Sequence, residues 1–340
     1  MSDEASQQAR PATADDVARL AGVSRSAVSR TFTKGASVSP ATRDKVLEAA
    51  ATLGYRVNFL ARSLSMQRTN LVAMVVSDMD HSLRALLVDR LARNLVAHDF
   101  RPFLLPWSTG DEVGRLTDMM LHYNVSGAIV TSDTPPKAIA AECARHNVPL
   151  VLVEKAPIGG RVGSVGHDHE KAGRLAAEEL YRSGCRRIAY AAQHRPSHSI
   201  GERRRAFEQT AAELGITISH RFYGARQNYD GGLEAAEAFW AVSPSVDGFY
   251  CANDFLALGF MDGLRRRENI RFPDDFSLVA SDDIPEASWS SYDITTVRQN
   301  PDHVAEATLE ALITCMKPDG SVPETQKIDV ELVRRSTTKT

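Results

Sequence analysis

Hydrophobic and polar positions along the chain fall into two regimes. In the first, apolar residues recur at helical spacing in three short stretches. Thr13 followed by Asp16 predicts a cap and an acidic first turn for a helix whose apolar face is Val17, Leu20 and Ala21, with Gly22 as its stop. Val23 then fills a corner, and Ser24 caps a second helix that turns Val28 and Phe32 inward. Ser39-Pro40 places a cap before a proline at the first helical position, and the third helix runs through Val46, Leu47 and Ala50 to Leu53, ending at Gly54. After Arg68 the pattern becomes short apolar runs alternating with helical stretches. Leu71–Ser77, Pro102–Leu105, Ala128–Thr131, Pro149–Val153, Ile188–Ala192, Gly248–Cys251 and Ser277–Ala280 read as buried strands. Leu83–His98, Lys171–Ser183, Arg203–Gly215, Tyr229–Trp240 and Phe255–Arg267 read as helices. Such alternation predicts α/β architecture with parallel sheets covered on both faces. About 270 residues is too long for one doubly wound sheet, so two lobes are expected, with a boundary near the glycine-rich stretch Gly159–Gly163.

The first two helices carry a specific spacing. In Asp16-Val-Ala-x-x-Ala-Gly-Val-Ser-x-x-x-Val-Ser-Arg30, small Ala21 and Gly22 allow close crossing while Val23 and Val28 lock the pair, as in a helix-turn-helix. The outer face of the second helix is then Arg25, Ser26, Ser29 and Arg30. Arginine can bond both acceptors of a guanine edge, which makes Arg25 and Arg30 the natural base readers. Charge sharpens this reading against a bundle with merely solvated arginines. The net charge is −3, yet Thr13 to Arg68 holds nine basic and four acidic residues. A basic end on an acidic body suits a polyanion at one end only.

Three longer runs resemble the headpiece of the lactose-repressor (LacI/GalR) family of bacterial regulators: T-A-D-D-V-A-R-L-A-G-V-S-R-S-A-V-S-R, V-S-P-A-T-R-D-K-V and L-G-Y-R-V-N-F-L-A-R-S-L. The resemblance implies that Arg25, Ser26 and Arg30 read an operator, with Thr13, Ser24, Ser29, Asn58 and Ala61 completing the DNA-facing set. It also implies a hinge helix from Asn58 to Ser65 whose Leu64 wedges into the minor groove. Val57 stands where the family usually has proline. Eight residues are too few for a stable isolated helix. The stripe Leu60, Ala61 and Leu64 would therefore order only against DNA or a second copy of itself.

The resemblance extends through G-A-I-V-T, G-R-L-A-A-E-E-L-Y-R-S-G-C-R-R-I-A-Y, E-R-R-R-A-F, C-A-N-D-F-L-A-L-G, F-P-D-D-F-S-L-V-A-S-D-D-I-P and T-T-V-R-Q. These are similar to the family's regulatory core, two α/β lobes like those of periplasmic sugar-binding proteins. Ligands in open α/β sheets sit beyond the carboxyl ends of strands. That rule picks out Asp78, Asp80, His81, Asn253, Asp254 and Asp282, and Arg203 opens a helix nearby. The resemblance implies effector contacts from Arg203, Asn253 and Asp282 and an aromatic lining from Tyr250; Asp254 is expected as a helix N-cap, and Arg203 with Asp282 could instead form a salt bridge. Where the family often reads N-P-F-F, this chain reads His81-Ser82-Leu83-Arg84. An aromatic platform is missing and a cation has appeared, so an anionic effector (a sugar acid, sugar phosphate or small carboxylate) held by Arg84 and Arg203 is expected, with His81 beside them.

Other classes find little support. The longest apolar run, Leu71 to Val76, is far short of the roughly 18 residues of a membrane span, and the polar start MSDEASQQARPAT predicts no secretory signal. Four scattered cysteines read as free thiols in a reducing cytoplasm. No Gly-Lys pair, H-E-x-x-H or G-x-S-x-G occurs. His167-Asp168-His169-Glu170 reads as a lobe edge or surface rather than a metal site. No catalytic residue, metal or cofactor is expected. The expected plan is a tail (1–12), a headpiece (13–57), a hinge helix and linker (58–68) and an effector-binding, dimerising core (69–340). Within the core, the N-lobe covers about 69–161 and 299–321, and the C-lobe about 162–298 and 322–340. The chain so read is a homodimeric regulator, most simply a repressor, of a pseudo-palindromic double-stranded DNA operator under small-molecule control, without a membrane partner. The alternative is a small-molecule binding module that its headpiece anchors non-specifically to DNA.

Overall fold

A computed structural model describes residues 12–33, 35–56, 69–108, 110–131, 136–321 and 323–339. The expected hinge helix, with Asn58, Ala61 and Leu64, lies outside the described residues. The chain divides between Thr69 and Asn70 into two compact units.

The first unit is three helices, α1 (Ala14–Ala21), α2 (Arg25–Thr31) and α3 (Pro40–Thr52). Their ends follow the local chemistry. Thr13 and Asp16 form a reciprocal capping box, and Gly22 closes α1 at φ 64°, a left-handed conformation that glycine adopts without strain. Ser24 accepts from the Ala27 N–H at 3.2 Å, and Ser39 from the Thr42 N–H at 3.2 Å. The core is Val17, Ala18, Val28, Val46, Ala49 and Ala50, with Val23, Phe32 and Tyr55 against it. Leu20, expected on the apolar face of α1, is instead 54% exposed, and Leu47 and Leu53 in the apolar run at α3 are 46% and 36% exposed. The inward stripe is rotated by about one position, because Ala18, Ala49 and Ala50 let the helices approach more closely than leucines would.

The second unit holds two six-stranded sheets. In the first, β1 (Leu71–Val76) lies between β2 (Arg101–Pro106) and β3 (Gly127–Val130), followed by β4 (Leu150–Val153), β5 (Val162–His167) and β11 (Gln326–Ile328). All its pairings are parallel. The second sheet runs β7 (Thr217–Gly224), β6 (Arg187–Gln193), β8 (Gly248–Cys251), β9 (Ser277–Asp282), β10 (Thr295–Arg298) and β12 (Glu331–Val333). Only β12 is antiparallel. Helices α4 (Ser82–Ala97), α5 (Val113–His122), α6 (Pro136–Arg145) and α11 (Pro301–Cys315) belong with the first sheet. Helices α7 (His169–Arg182), α8 (His198–Glu213), α9 (Tyr229–Val242) and α10 (Asp254–Arg265) belong with the second. Each sheet carries apolar clusters on both faces, as its continuous hydrophobic runs require.

The passages between lobes differ from the expected ones. Gly159 and Gly160, at φ 70° and 68°, form a turn that leads into β5, and β5 still pairs with β4. The chain therefore leaves the first lobe at His167–Asp168. It returns after β10 at Gln299–Asn300, beside the expected lobe bound at 298–299, and crosses last between β11 and β12 rather than at the expected bound of 321–322. β5 and β11 escape sequence reading because glycine, lysine and glutamine interrupt their apolar runs.

Helix α7 crosses α8 at Gly173, where a Cβ would lie 2.2 Å from the Arg203 carbonyl oxygen and 2.8 Å from the Phe207 nitrogen. Both obstacles are backbone, so α8 would have to move. Gly173→Ala is expected to cost about 1–3 kcal/mol in urea denaturation of the full-length protein. An unchanged midpoint would contradict this crossing.

Candidate functional site

A cavity of about 290 Å³ lies between the two lobes, beyond the carboxyl ends of both sheets, where open α/β folds place ligands. The first lobe contributes the loop after β1, the start of α4, and Thr131, Glu154 and His167 at strand ends. The second contributes Gln193, residues of α8, Gln227, Asn253, Phe255 and Asp282. Three lining carboxylates sit at strained positions, with φ of 47° at Asp78, 59° at Glu154 and 126° at Asp282. Non-glycine residues persist in that region only when their surroundings hold them there, and they concentrate at binding sites.

Asp282 is the hub. Its Oδ1 accepts from Arg203 Nη1 at 2.9 Å and from Gln299 Nε2 at 2.7 Å, and its Oδ2 lies 3.8 Å from His81 Nε2. Arg203 and Asp282 are both buried. Burial alone would pull the guanidinium toward neutrality, but the Asp282 carboxylate reverses this and raises its pKa. So the salt-bridge alternative is realised, inside the cavity wall. Arg203 does not open its helix: α8 starts at His198, capped by Ser197, and Arg203 stands in its second turn.

Asn253 is the N-cap of α10. Its Oδ1 accepts from the Leu256 N–H at 3.0 Å and from Gln227 Nε2 at 3.2 Å, while its Nδ2 meets His81 Nε2 at 2.9 Å. Asp254 is therefore not the cap expected from sequence. It is fully buried at the first helical position, accepting from Thr296 Oγ1 at 2.6 Å and from the Ile284 N–H at 3.1 Å. Burial, aided by the charge of Asp282, pushes its carboxyl up to about 7. An unfolded aspartate titrates near about 3.9. The folded state thus keeps a proton that the unfolded chain loses, so the contribution of this group to stability is complete below about pH 4 and is lost as pH rises to 7. Asp254→Asn is expected to flatten that loss in urea midpoints measured between pH 4.5 and 7.5. Parallel curves for the two proteins would refute the assignment.

Tyr250 does not line the cavity. It is fully buried, stacks on Phe207 with ring centroids 4.1 Å apart and reaches Ser281 Oγ at 3.3 Å. Its alternation along β8 turns it under α8, where it supports the helix that carries Arg203. His81 and Arg84 do line the cavity. Burial pushes the His81 imidazole down, against the pull of Asp282. Arg84 bonds the carboxylate of Asp78 and, at 3.1 Å, the Ser77 hydroxyl.

Sequence reasoning missed Glu154. Its carboxylate accepts from the His167 N–H at 3.1 Å and meets His167 Nδ1 at 2.8 Å and His169 Nε2 at 2.6 Å. Burial acts to raise its pKa, but the two imidazoles outweigh it and hold the carboxyl well below the usual range. The histidines are at a lobe edge, as read, yet they are buried rather than on the surface, and they straddle the first passage between lobes. The strand-end rule that found Asp78 and Asn253 also reaches Glu154, immediately after β4. Among the described residues no group of three His, Cys, Asp or Glu is placed to hold a metal. No helix there is long and apolar enough to cross a membrane.

In the first unit, Arg25, Ser26, Ser29 and Arg30 are all exposed on α2. Ser24 Oγ lies 2.8 Å from Ser26 Oγ, and Arg25 approaches Asp15 at 3.7 Å. Thr13 is committed to the cap of α1.

Residues 13–58 match bacterial regulatory proteins of the lacI family, and residues 177–338 match a periplasmic binding protein-like domain. The HTH-type transcriptional repressor PurR of Vibrio vulnificus (strain CMCP6) is 28% identical over 336 residues, covering 96% of this chain and 99% of that one. The lac repressor dimer, solved bound to operator and the anti-inducer ONPF, superposes with a TM-score of 0.87 at 25% identity over 97% of this chain and 100% of that chain. A transcriptional regulator CelR–cellobiose complex superposes with a TM-score of 0.71 at 27% identity, over 96% of this chain and 100% of that chain. With a helix-turn-helix unit and a two-lobed cleft in one chain, in the order and extent of these relatives, the protein is similar over nearly its whole length to bacterial regulatory proteins of the lacI family.

Proposed function

We propose that this regulator works as a homodimeric repressor in the cytoplasm, reading a pseudo-palindromic operator with Arg25, Ser26, Ser29 and Arg30 and answering to a small polar effector bound between the core lobes. The observation that carries the reading is the cleft itself. It holds buried polar atoms without a hydrogen-bond partner among the described residues, His81 Nδ1, His167 Nε2 and Arg203 Nε. Leaving such atoms unsatisfied costs about 1–3 kcal/mol each, which a bound ligand recovers. The cleft shares a chain with a helix whose exposed arginines suit guanine edges.

The expectation of an anionic effector rested on Arg84 and Arg203. Each faces a carboxylate, Asp78 and Asp282 respectively, so neither guanidinium offers an uncompensated charge. Glutamine and asparagine amides beside Leu83, Ile200 and Phe255 suit an uncharged polyhydroxyl molecule. The cellobiose held by one relative is of that class.

A thermal-shift screen of the full-length protein against neutral sugars, sugar acids, sugar phosphates and small carboxylates tests the effector. At about 100-fold over its dissociation constant a ligand adds roughly 2.7 kcal/mol of stability. Stabilisation by a neutral sugar is expected, and stabilisation only by acids would overturn the neutral reading. Affinity for a selected palindrome should exceed that for random duplex by about 10³-fold or more. Equal affinities would leave non-specific anchoring as the function.

A further inference from the structure

We infer that the two core lobes are latched together by four consecutive residues at the start of α4, Asp80 to Leu83, which reach from the first lobe and grip the second. His81 Nε2 meets Asn253 Nδ2 at 2.9 Å and lies 3.8 Å from Asp282, inside the cleft. Ser82 Oγ donates to Glu286 Oε1 at 2.6 Å. Leu83 packs on the apolar cluster of the second lobe, and the His81 ring meets the Phe255 ring edge-on at 5.5 Å. Asp80 stands 3.9 Å from Arg226.

These contacts are chemically selective. Asn253 spends its carbonyl oxygen on the Leu256 N–H and on Gln227, so its amide nitrogen is the donor to His81. His81 must then accept through Nε2 and carry its proton on Nδ1, which fixes one neutral tautomer. Glu286 Oε2 is buried without a hydrogen-bond partner among the described residues. The described hydrogen bond to that carboxylate is the one from Ser82 in the opposite lobe. A lobe pair joined only by the three chain passages would need none of this. On the reading that the cleft is the effector site, an effector that takes Asn253 and Asp282 must displace His81, so occupancy and latch release are one event.

The test needs no effector. Spin labels are placed on cysteines introduced as Lys137→Cys in the first lobe and Val242→Cys in the second, both exposed positions; the native cysteines are buried. Pulsed dipolar spectroscopy on the full-length, effector-free protein, with labelled subunits diluted into an excess of unlabelled ones, should give one narrow distance within a subunit. Adding His81→Ala with Ser82→Ala should widen it or shift it by several ångströms, and an unchanged narrow distribution overturns the latch. If that variant does not fold, Ser82→Cys with Glu286→Cys serves instead. Copper-phenanthroline oxidation should crosslink the effector-free protein, and failure to crosslink overturns the proposal. Neither result bears on whether the cleft binds an effector, which the thermal-shift screen decides separately.

Discussion

Arg203→Ala is expected to cost the core about 3–5 kcal/mol, because it leaves the buried Asp282 carboxylate without its cation. Both side chains are 5% exposed, so water cannot replace the missing partner. Gln299 still donates to Asp282, but a neutral amide does not balance the charge. The measurement is urea denaturation of the full-length protein, followed on the core transition. A loss below about 1 kcal/mol would show that the pair is solvated in solution and that Arg203 is not a buried anchor. Replacing both partners together with neutral residues should recover part of the loss, since it removes the orphaned charge. Effector stabilisation should disappear in either variant, which separates a binding role from a purely structural one.

The second large effect concerns DNA. Arg25→Ala with Arg30→Ala should weaken operator binding by about 1–3 kcal/mol for each arginine that bonds a guanine in bidentate fashion, measured by fluorescence anisotropy on the selected palindrome. Headpiece stability should hardly change. Both side chains are exposed, and the 3.7 Å approach of Arg25 to Asp15 joins two well-solvated groups, whose pairing contributes little. Random duplex is the control. If affinity for it falls as far as affinity for the palindrome, the arginines meet phosphates and the base-reading assignment is wrong.

These predictions draw unequally on sequence and structure. The headpiece was legible almost residue by residue. Caps at Thr13, Ser24 and Ser39 and the stop at Gly22 each depend on groups within a few residues of one another. Its faces were less legible: the exposure of Leu20 and Leu47 depends on which side of a short helix meets two others, and small alanines moved that side. In the core, strands β1 to β4, β6, β8 and β9 announced themselves by unbroken apolar runs. Strands β5, β7, β10, β11 and β12 did not, because they are short or because polar residues and glycine break their apolar runs.

The cleft divides the same way. The strand-end rule reached Asp78, His81, Asn253 and Asp282 from sequence, since parallel topology alone dictates where ligands go. It was silent on Tyr250, whose strand position turned it inward, and it was not applied to Glu154, which it also covers. Pairing is a different matter. Arg203 finds Asp282 across 79 residues, Asn253 finds His81 across 172, and Ser82 finds Glu286 across 204. The sequence by itself determined a helix-turn-helix, a parallel two-lobed core and the strand ends that face the cleft, because caps, periodicity and topology are local or follow from local signals. Which charges cancel there, and which residues hold one lobe to the other, only the tertiary structure decided, because no spacing along the chain encodes contacts between residues brought together by folding.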